Sequence, residues 1–312
     1  MMGALPKAIL RRLALAVPTA IGVCTLVFAV LHAVPGDPVD VLLGETAAAA
    51  DRVELRARLG LDRPLLIQYG AYMGGLVRGD LGRSVRSGRP VAELVVERAP
   101  ATLRLGLAAA IIAALLGIPL GVLSAWRPHG LLDRLTLTAS LSAVAVPNFW
   151  LGPMLVMLFS IQLGWLPVAG DATAAHLVLP ALTLGSGMSG ILVRMTRAAM
   201  LETMSEEYVR TARAKGLGDA RVLVRHALPN AMVPVLSLIG LQLGAVLAGS
   251  VITETIFAWP GLGRLVVEAI QSRDYPVVQG AVLTIAGVYV LVNLATDLAQ
   301  ALVHPRLREA VP

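Results

Sequence analysis

The chain has 312 residues, 56% of them hydrophobic and 15% charged, with a mean hydropathy of +0.75 and a formal net charge of +6. Soluble domains carry an apolar share of about 45–50%, so this composition excludes an ordinary soluble protein and points to an integral membrane protein. The basic residues cluster in a few loops, as membrane orientation requires, so no nucleic-acid partner is expected; one cysteine, Cys24, and five scattered histidines give no basis for a disulfide or a metal site.

Lys7, Arg11 and Arg12 precede an apolar run from Leu13 to Val34, long enough at about 1.5 Å per residue to cross a hydrocarbon core of about 30 Å. It exceeds the apolar length of a signal peptide and no A-x-A site follows it, so an uncleaved spanning helix is expected. Residues 35–99 are polar, with Gly/Pro punctuation at PGDP (35–38) and GDLG (79–82). They read as a long, partly helical periplasmic loop, giving an N-terminal unit over 1–100.

Uncharged runs follow at Leu105–Trp126, Leu135–Gly170, Ala172–Val193, Ala227–Thr253 and Tyr275–Thr296. The second of these is long enough for a span plus a re-entrant or surface segment. The expected fold is an all-α polytopic membrane protein with six transmembrane helices, a core over 101–304 and a tail over 305–312. One set of short segments holds Lys7, Arg11 and Arg12, then Arg127 and Arg134, then a basic cluster between Arg194 and Arg225, then Arg306 and Arg308, while the opposite short loops hold Arg264 and Arg273. Short basic segments stay inside, so both termini are expected in the cytoplasm. Trp126, Trp165 and Trp259 fall at expected span ends, where indole rings suit the headgroup layer, and Trp150 falls inside the third span. Pro119, Pro147, Pro153, Pro180 and Pro234 lie within spans and bend them.

The charged stretch Thr203–Asn230 stands apart from this apolar background. Thr203 and Glu206 fit a capping box, Glu206 and Glu207 suit a helix N-terminus, and a short helix to about Lys215 is expected. Gly216-Leu217-Gly218 permits a sharp turn, and Asp219 can cap a second helix with Ala220, Leu223, Val224, Ala227 and Leu228 on one face and Arg221 and Arg225 on the other. Pro229 is expected to end it. A helix–glycine–helix unit with one apolar and one basic face can lie on membrane lipid or insert into a partner's groove, and composition leaves both open.

YVRTARAKG (208–216) followed by HALPN (226–230) resembles the cytoplasmic EAA-type loop of binding-protein-dependent ABC importer permeases, with the motif glycine at Gly216 and its Leu-Pro at Leu228-Pro229. Arg210 stands where the family has its glutamate and His226 where an apolar residue is usual, a variant similar to the dipeptide/oligopeptide/nickel branch. PGDP (35–38), LGLDRPLLIQY (59–69), GDLGRS (79–84), RAPATLRL (98–105), LPALTL (179–184) and ETIFAWPGLG (254–263) extend the resemblance over nearly the whole chain. The C-terminal HPR (304–306) departs from the family's Asp-Pro-Arg.

The resemblance implies a type I importer permease that pairs with a second, similar permease, two ABC ATPase subunits and an extracytoplasmic substrate-binding protein. It implies no cofactor on this chain, with ATP and Mg held by the ATPases. The implied coupling residues are Tyr208, Arg210, Ala212, Arg213, Lys215, Gly216, Asp219, Ala220, Leu223, Ala227 and Pro229. The face Ala220/Leu223/Ala227 is the expected groove contact, with Arg213, Lys215, Arg221 and Arg225 supplying charge. Glu254, Pro260 and Gly261 are expected at a periplasmic gate or binding-protein seat, and Asn148, Gln242 and Ser250 are candidate pathway residues, although a helix-to-helix hydrogen bond explains each of these three better.

Other motifs compete weakly. Gly185, Gly187 and Gly190 spell G-x-G-x-x-G but follow no strand, so close helix packing explains them better than a dinucleotide site. GMSG (187–190) resembles the nucleophile motif of rhomboid-type intramembrane proteases, yet the run 275–296 holds no histidine to activate Ser189. No phosphate-binding G-x-x-x-x-G-K-[ST] occurs. An ion-coupled carrier commonly places ionisable residues deep in its spans, whereas Arg104, Glu254 and Asp297 fall at or near span ends.

Overall fold

The structure, a computed structural model, describes residues 4–33, 38–43, 48–58 and 60–303. Leu59, residues 35–37 of PGDP, the HPR segment (304–306) and the tail over 305–312 with Arg306 and Arg308 lie outside the described residues. The described chain is mostly helical and, among the described residues, has no strand, with one isolated β-bridge between Arg83 and Pro90.

Helix α1 (Ala4–Ala33) carries the first apolar run, and α2 (Pro38–Leu43), α3 (Ala49–Arg58) and α4 (Leu65–Val77) occupy the polar region after it. Then come α5 (Val91–Trp126), α6 (Leu131–Ala145), α7 (Asn148–Leu155) with a π-helical continuation over Val156–Gln162, and α8 (Ala175–Met204). The basic stretch forms α9 (Glu207–Ala214) and α10 (Asp219–Val222), joined by a π-helical turn, Leu223–Ala227, to α11 (Leu228–Gly249). Helices α12 (Val251–Ile256), α13 (Leu262–Gln271) and α14 (Tyr275–Val303) complete the chain. Among the described residues four helices are long and apolar enough to cross a membrane, or five if the bent pair α6–α7 is one span.

That bend is 102° and follows from Pro147. The ring disfavours helix in the preceding residue, and Val146 is extended at φ −78°, ψ +118°. The long third run is therefore two helical pieces, as its length suggested. Pro100 and Pro119 instead stay within the 36 residues of α5, and Pro180 stays within α8.

Lipid tails are as apolar as leucine, so helices in a bilayer associate through close van der Waals contact, which small residues permit. Helices α5 and α8 form the centre this way. A Cβ built at Gly117 would lie 2.7 Å from Leu192 Cβ, one at Gly121 would lie 2.8 Å from the Val193 carbonyl oxygen, and one at Gly185 would lie 3.0 Å from that of Ala109. Gly190 does the same for α6, where an added Cβ would strike the Ser140 carbonyl oxygen. The G-x-G-x-x-G residues Gly185 and Gly190 are thus packing sites. Leu105, Leu184, Met188 and Trp259 fill the core between α5 and α8, and a second core joins α5, α13 and α14 through Val91, Leu262 and Val278.

Trp259 departs from its expected headgroup position. It is 2% exposed, its indole N–H donates to the Ala101 carbonyl at 2.9 Å, and the Arg104 guanidinium lies 5.6 Å over its ring. A buried N–H needs a partner, and here the protein rather than the interface supplies it. Trp126 and Trp165 are exposed, as expected.

Candidate functional site at the hinged basic loop

Helix α8 runs on through Thr203, so the expected capping box does not form. The Thr203 hydroxyl donates back to the Ala199 carbonyl at 2.7 Å, and Glu206 precedes α9 without a side-chain cap. Helix α9 stops as expected at Lys215, because Gly216 takes φ +81° and returns its N–H to the Arg213 carbonyl at 2.9 Å. An added Cβ there would touch nothing within 4 Å, so the need for glycine is conformational. Arg213 Nε reaches Asp219 Oδ1 across the turn at 3.4 Å. Gly218, not Asp219, occupies the cap position of α10.

The second helix differs from its expected pattern. The π-helical turn over Leu223–Ala227 shifts the facing residues, and Pro229, in the first turn of α11, starts that helix instead of ending one. A first-turn proline needs no intrahelical donor, so the widened turn absorbs it. Leu223 and Ala227, expected to face a partner, are instead 6% and 0% exposed and pack with Ala125, Ala199 and Met200. Ala212 is likewise buried, with Val209 and Val222. Asn230 Nδ2 donates to the Tyr208 hydroxyl at 2.7 Å, and that hydroxyl donates to the His226 carbonyl at 3.3 Å, closing the hairpin. The free outer face carries Arg210, Lys215, Ala220, Arg221 and Arg225, with Tyr208 and Val224 as exposed apolar surface.

Behind the loop lies an ionic clamp that the span boundaries concealed. Arg197 on α8 donates Nε and an Nη to Asp133 on α6 at 2.6 and 2.8 Å, a bidentate pair. The Ser124 hydroxyl and the His129 backbone N–H, at 2.7 Å, also donate to Asp133, which is 2% exposed. Both residues fall outside the apolar runs that begin at Leu135 and end at Val193, yet the apolar helices extend over them, α6 from Leu131 and α8 to Met204.

At the opposite end, Glu254 is fully buried. Its Oε1 accepts from Thr102 Oγ1 at 2.7 Å and Ser250 Oγ at 2.9 Å, and its Oε2 from the Arg264 N–H at 2.9 Å. Gly261 is buried directly against this carboxylate, and Pro260 is half-buried beside it. Glu254 therefore staples the α12–α13 hairpin onto α5 and is not a surface seat, and Ser250 belongs to the staple instead of a pathway. Gln242 is 8% exposed with neither amide atom hydrogen-bonded among the described residues. Asn148, half-buried at the start of α7, is apart from both.

Family models agree with this architecture. The "Binding-protein-dependent transport system inner membrane component" family matches residues 117–309, and its N-terminal companion matches residues 5–106. The dipeptide transport system permease protein DppB of Escherichia coli (strain K12) is 45% identical, covering 96% of this chain and 98% of that protein. The di/tripeptide transport system permease protein DppB of Pseudomonas aeruginosa (strain UCBPP-PA14) is 44% identical with the same coverage. The glutathione transport system permease protein GsiC of Escherichia coli (strain K12) is 41% identical over equal shares. In fold, the chain is similar to a subunit of the inward-facing MetNI methionine ABC transporter, with a TM-score of 0.57 at 19% identity over 70% of this chain and 96% of that one. Family models spanning nearly the whole sequence, together with these relatives, place the chain in the dipeptide/oligopeptide family of binding-protein-dependent ABC importer permeases.

Proposed function

We propose that the chain is the membrane-spanning subunit of an ATP-driven importer of short peptides, with six spans formed by α1, α5, α6 with α7, α8, α10 with α11, and α14, and with both termini cytoplasmic. The relatives named for dipeptide and di/tripeptide transport support the cargo class. A second permease, two ATPase subunits and a substrate-binding protein complete the machine, and the ATPases bind and hydrolyse ATP.

The observation that carries this reading is the division of labour in the 203–230 loop. Its inner face is used up within the chain, and its outer face, Arg210, Lys215, Ala220, Arg221 and Arg225, is free for a partner. Movement of the ATPases on binding ATP displaces the loop about Gly216. Helix α8, clamped to α6 through Arg197 and Asp133, and α11 carry the displacement to the pathway between two permeases. Such coupling requires that ATP bind the inward- and outward-open states with different affinity.

Competing readings lose support. The Ser189 hydroxyl donates to the Ser186 carbonyl at 2.7 Å, which leaves a protease without an activated nucleophile. Glu254 and Asp133 have their oxygens occupied by internal donors, as structural carboxylates do. The test is uptake of a labelled dipeptide into proteoliposomes holding the full complex. Uptake requires ATP and the binding protein and survives a protonophore; loss with the protonophore but indifference to ATP depletion would overturn the proposal.

A further inference from the structure

A cavity of about 470 Å³ lies where the end of α1, the α3–α4 turn, residues 83–85 and the start of α14 meet. It is far in sequence from the coupling loop and shares no residue with the Glu254 staple. Arg58, Arg63, Arg83, Arg273 and His32 line it, and none of its described lining residues is acidic. The nearby Asp274 is spent elsewhere, accepting from Ser84 Oγ at 2.5 Å and from the Val85 and Arg86 N–H groups. Arg58 pairs with Glu54 at 3.1 Å and Arg83 Nε donates to the Gly88 carbonyl at 2.9 Å. Arg63 makes no ion pair or side-chain hydrogen bond among the described residues.

A second observation points to a ligand. Gln279 is 8% exposed and forms part of the cavity wall, yet its amide has no hydrogen bond among the described residues. A buried polar group normally finds a partner, and the cavity is where this one can.

The surroundings select the ligand. Helix α4 lies along the end of α1, with the Thr25 and Tyr69 hydroxyls 2.7 Å apart and Phe28 stacked 6.0 Å from Tyr72. With α1 as the first span of the proposed topology, on which this inference rests, α4 is held at membrane depth. Its Ile67 is on the cavity rim at 52% exposure, and Leu65 and Leu66 continue an apolar surface outward at 56% and 84%. A basic cavity of one sign focuses its field on an anion, and arginine matches phosphate geometry. A soluble anion would use the arginines and leave the adjoining leucines without a role. We propose that this cavity seats the phosphate headgroup of an anionic phospholipid, with its acyl chains along Leu65, Leu66 and Ile67. The proposed orientation makes this the outer leaflet, but the site itself does not depend on it.

The experiment measures binding of fluorescent phosphatidylglycerol and phosphatidylcholine to the full complex in neutral detergent. Wild type prefers phosphatidylglycerol. Each arginine removed weakens that lipid about fivefold, so Arg63→Gln loses about fivefold and Arg63→Gln/Arg83→Gln about twenty-five-fold, with phosphatidylcholine, whose choline offsets the phosphate charge, weakened less. Arg63 is exposed and unpaired, so the single variant keeps its thermal unfolding curve and decides the matter even if the double variant does not fold. Equal binding of the two lipids, an unchanged preference in Arg63→Gln, or full displacement of phosphatidylglycerol by inorganic phosphate or a dipeptide would overturn the proposal. ATP-driven dipeptide uptake, measured alongside, is independent of this outcome, so the two proposals fail separately.

Discussion

Replacing Asp133 by alanine tests the clamp behind the 203–230 loop. The carboxylate accepts from Arg197 Nε and Nη, Ser124 Oγ and the His129 N–H. Removing one partner of a buried ion pair costs about 3–5 kcal/mol, mostly because the other charge is left unpaired. Arg197 is 19% exposed, so water softens that penalty and the expected loss is about 3 kcal/mol. Arg197→Leu leaves Asp133 with the Ser124 and His129 donors and costs about 2–3 kcal/mol. With both charges gone, no buried charge is stranded. Asp133→Ala/Arg197→Leu is therefore expected to cost about 3 kcal/mol, well below the sum, for a coupling energy of at least about 2 kcal/mol. Equilibrium unfolding of the four proteins in bicelles gives the cycle, and single losses that simply add would refute the clamp.

Three further predictions concern single sites. Gly190→Ala drives a methyl into the Ser140 carbonyl and lies 2.9 Å from Val144 Cγ2, whereas Gly187→Ala meets its nearest atom at 3.9 Å; the first should cost about 1–3 kcal/mol and the second nearly nothing, and equal unfolding midpoints would contradict the packing. Glu254→Gln leaves one of the three donors facing an amide N–H₂ and should cost about 1–3 kcal/mol, read as a lowered Tm; an unchanged Tm would remove the staple. Gly216→Ala must hold φ +81° at about 1–2 kcal/mol, while Gly218→Ala keeps an ordinary φ of −64°. Dipeptide uptake should fall in the first and persist in the second, and the reverse order would place the hinge elsewhere.

The apolar runs announced the long helices because a bilayer demands length and hydrophobicity, both linear properties of sequence. Gly216 was legible for a similar reason, since only a few residue types tolerate a left-handed turn. What escaped was pairing across the fold. The i, i+3, i+4 pattern at 220–228 presumes a regular helix, but a π-helical turn rotates Leu223 and Ala227 inward. Trp259 and Glu254 looked like interface and gate residues because their partners, the Ala101 carbonyl and Thr102, lie more than 150 positions away. Asp133 and Arg197 sit 64 residues apart, a separation that no local pattern spans. The arginine-lined cavity, too, is assembled from four separate segments.

On the proposed function, the outer face of the 203–230 loop docks on the ATPase subunits. The chain's one cysteine, Cys24, is buried, so a Cys24→Ala background allows single cysteines to be placed along the loop and linked to the ATPases in the assembled complex. Ala220→Cys and Arg221→Cys are exposed and should give adducts whose yield changes on adding ATP, while Leu223→Cys, buried against Met200, should give none. The absence of any adduct from the two exposed positions, or an equal adduct from position 223, would contradict the account.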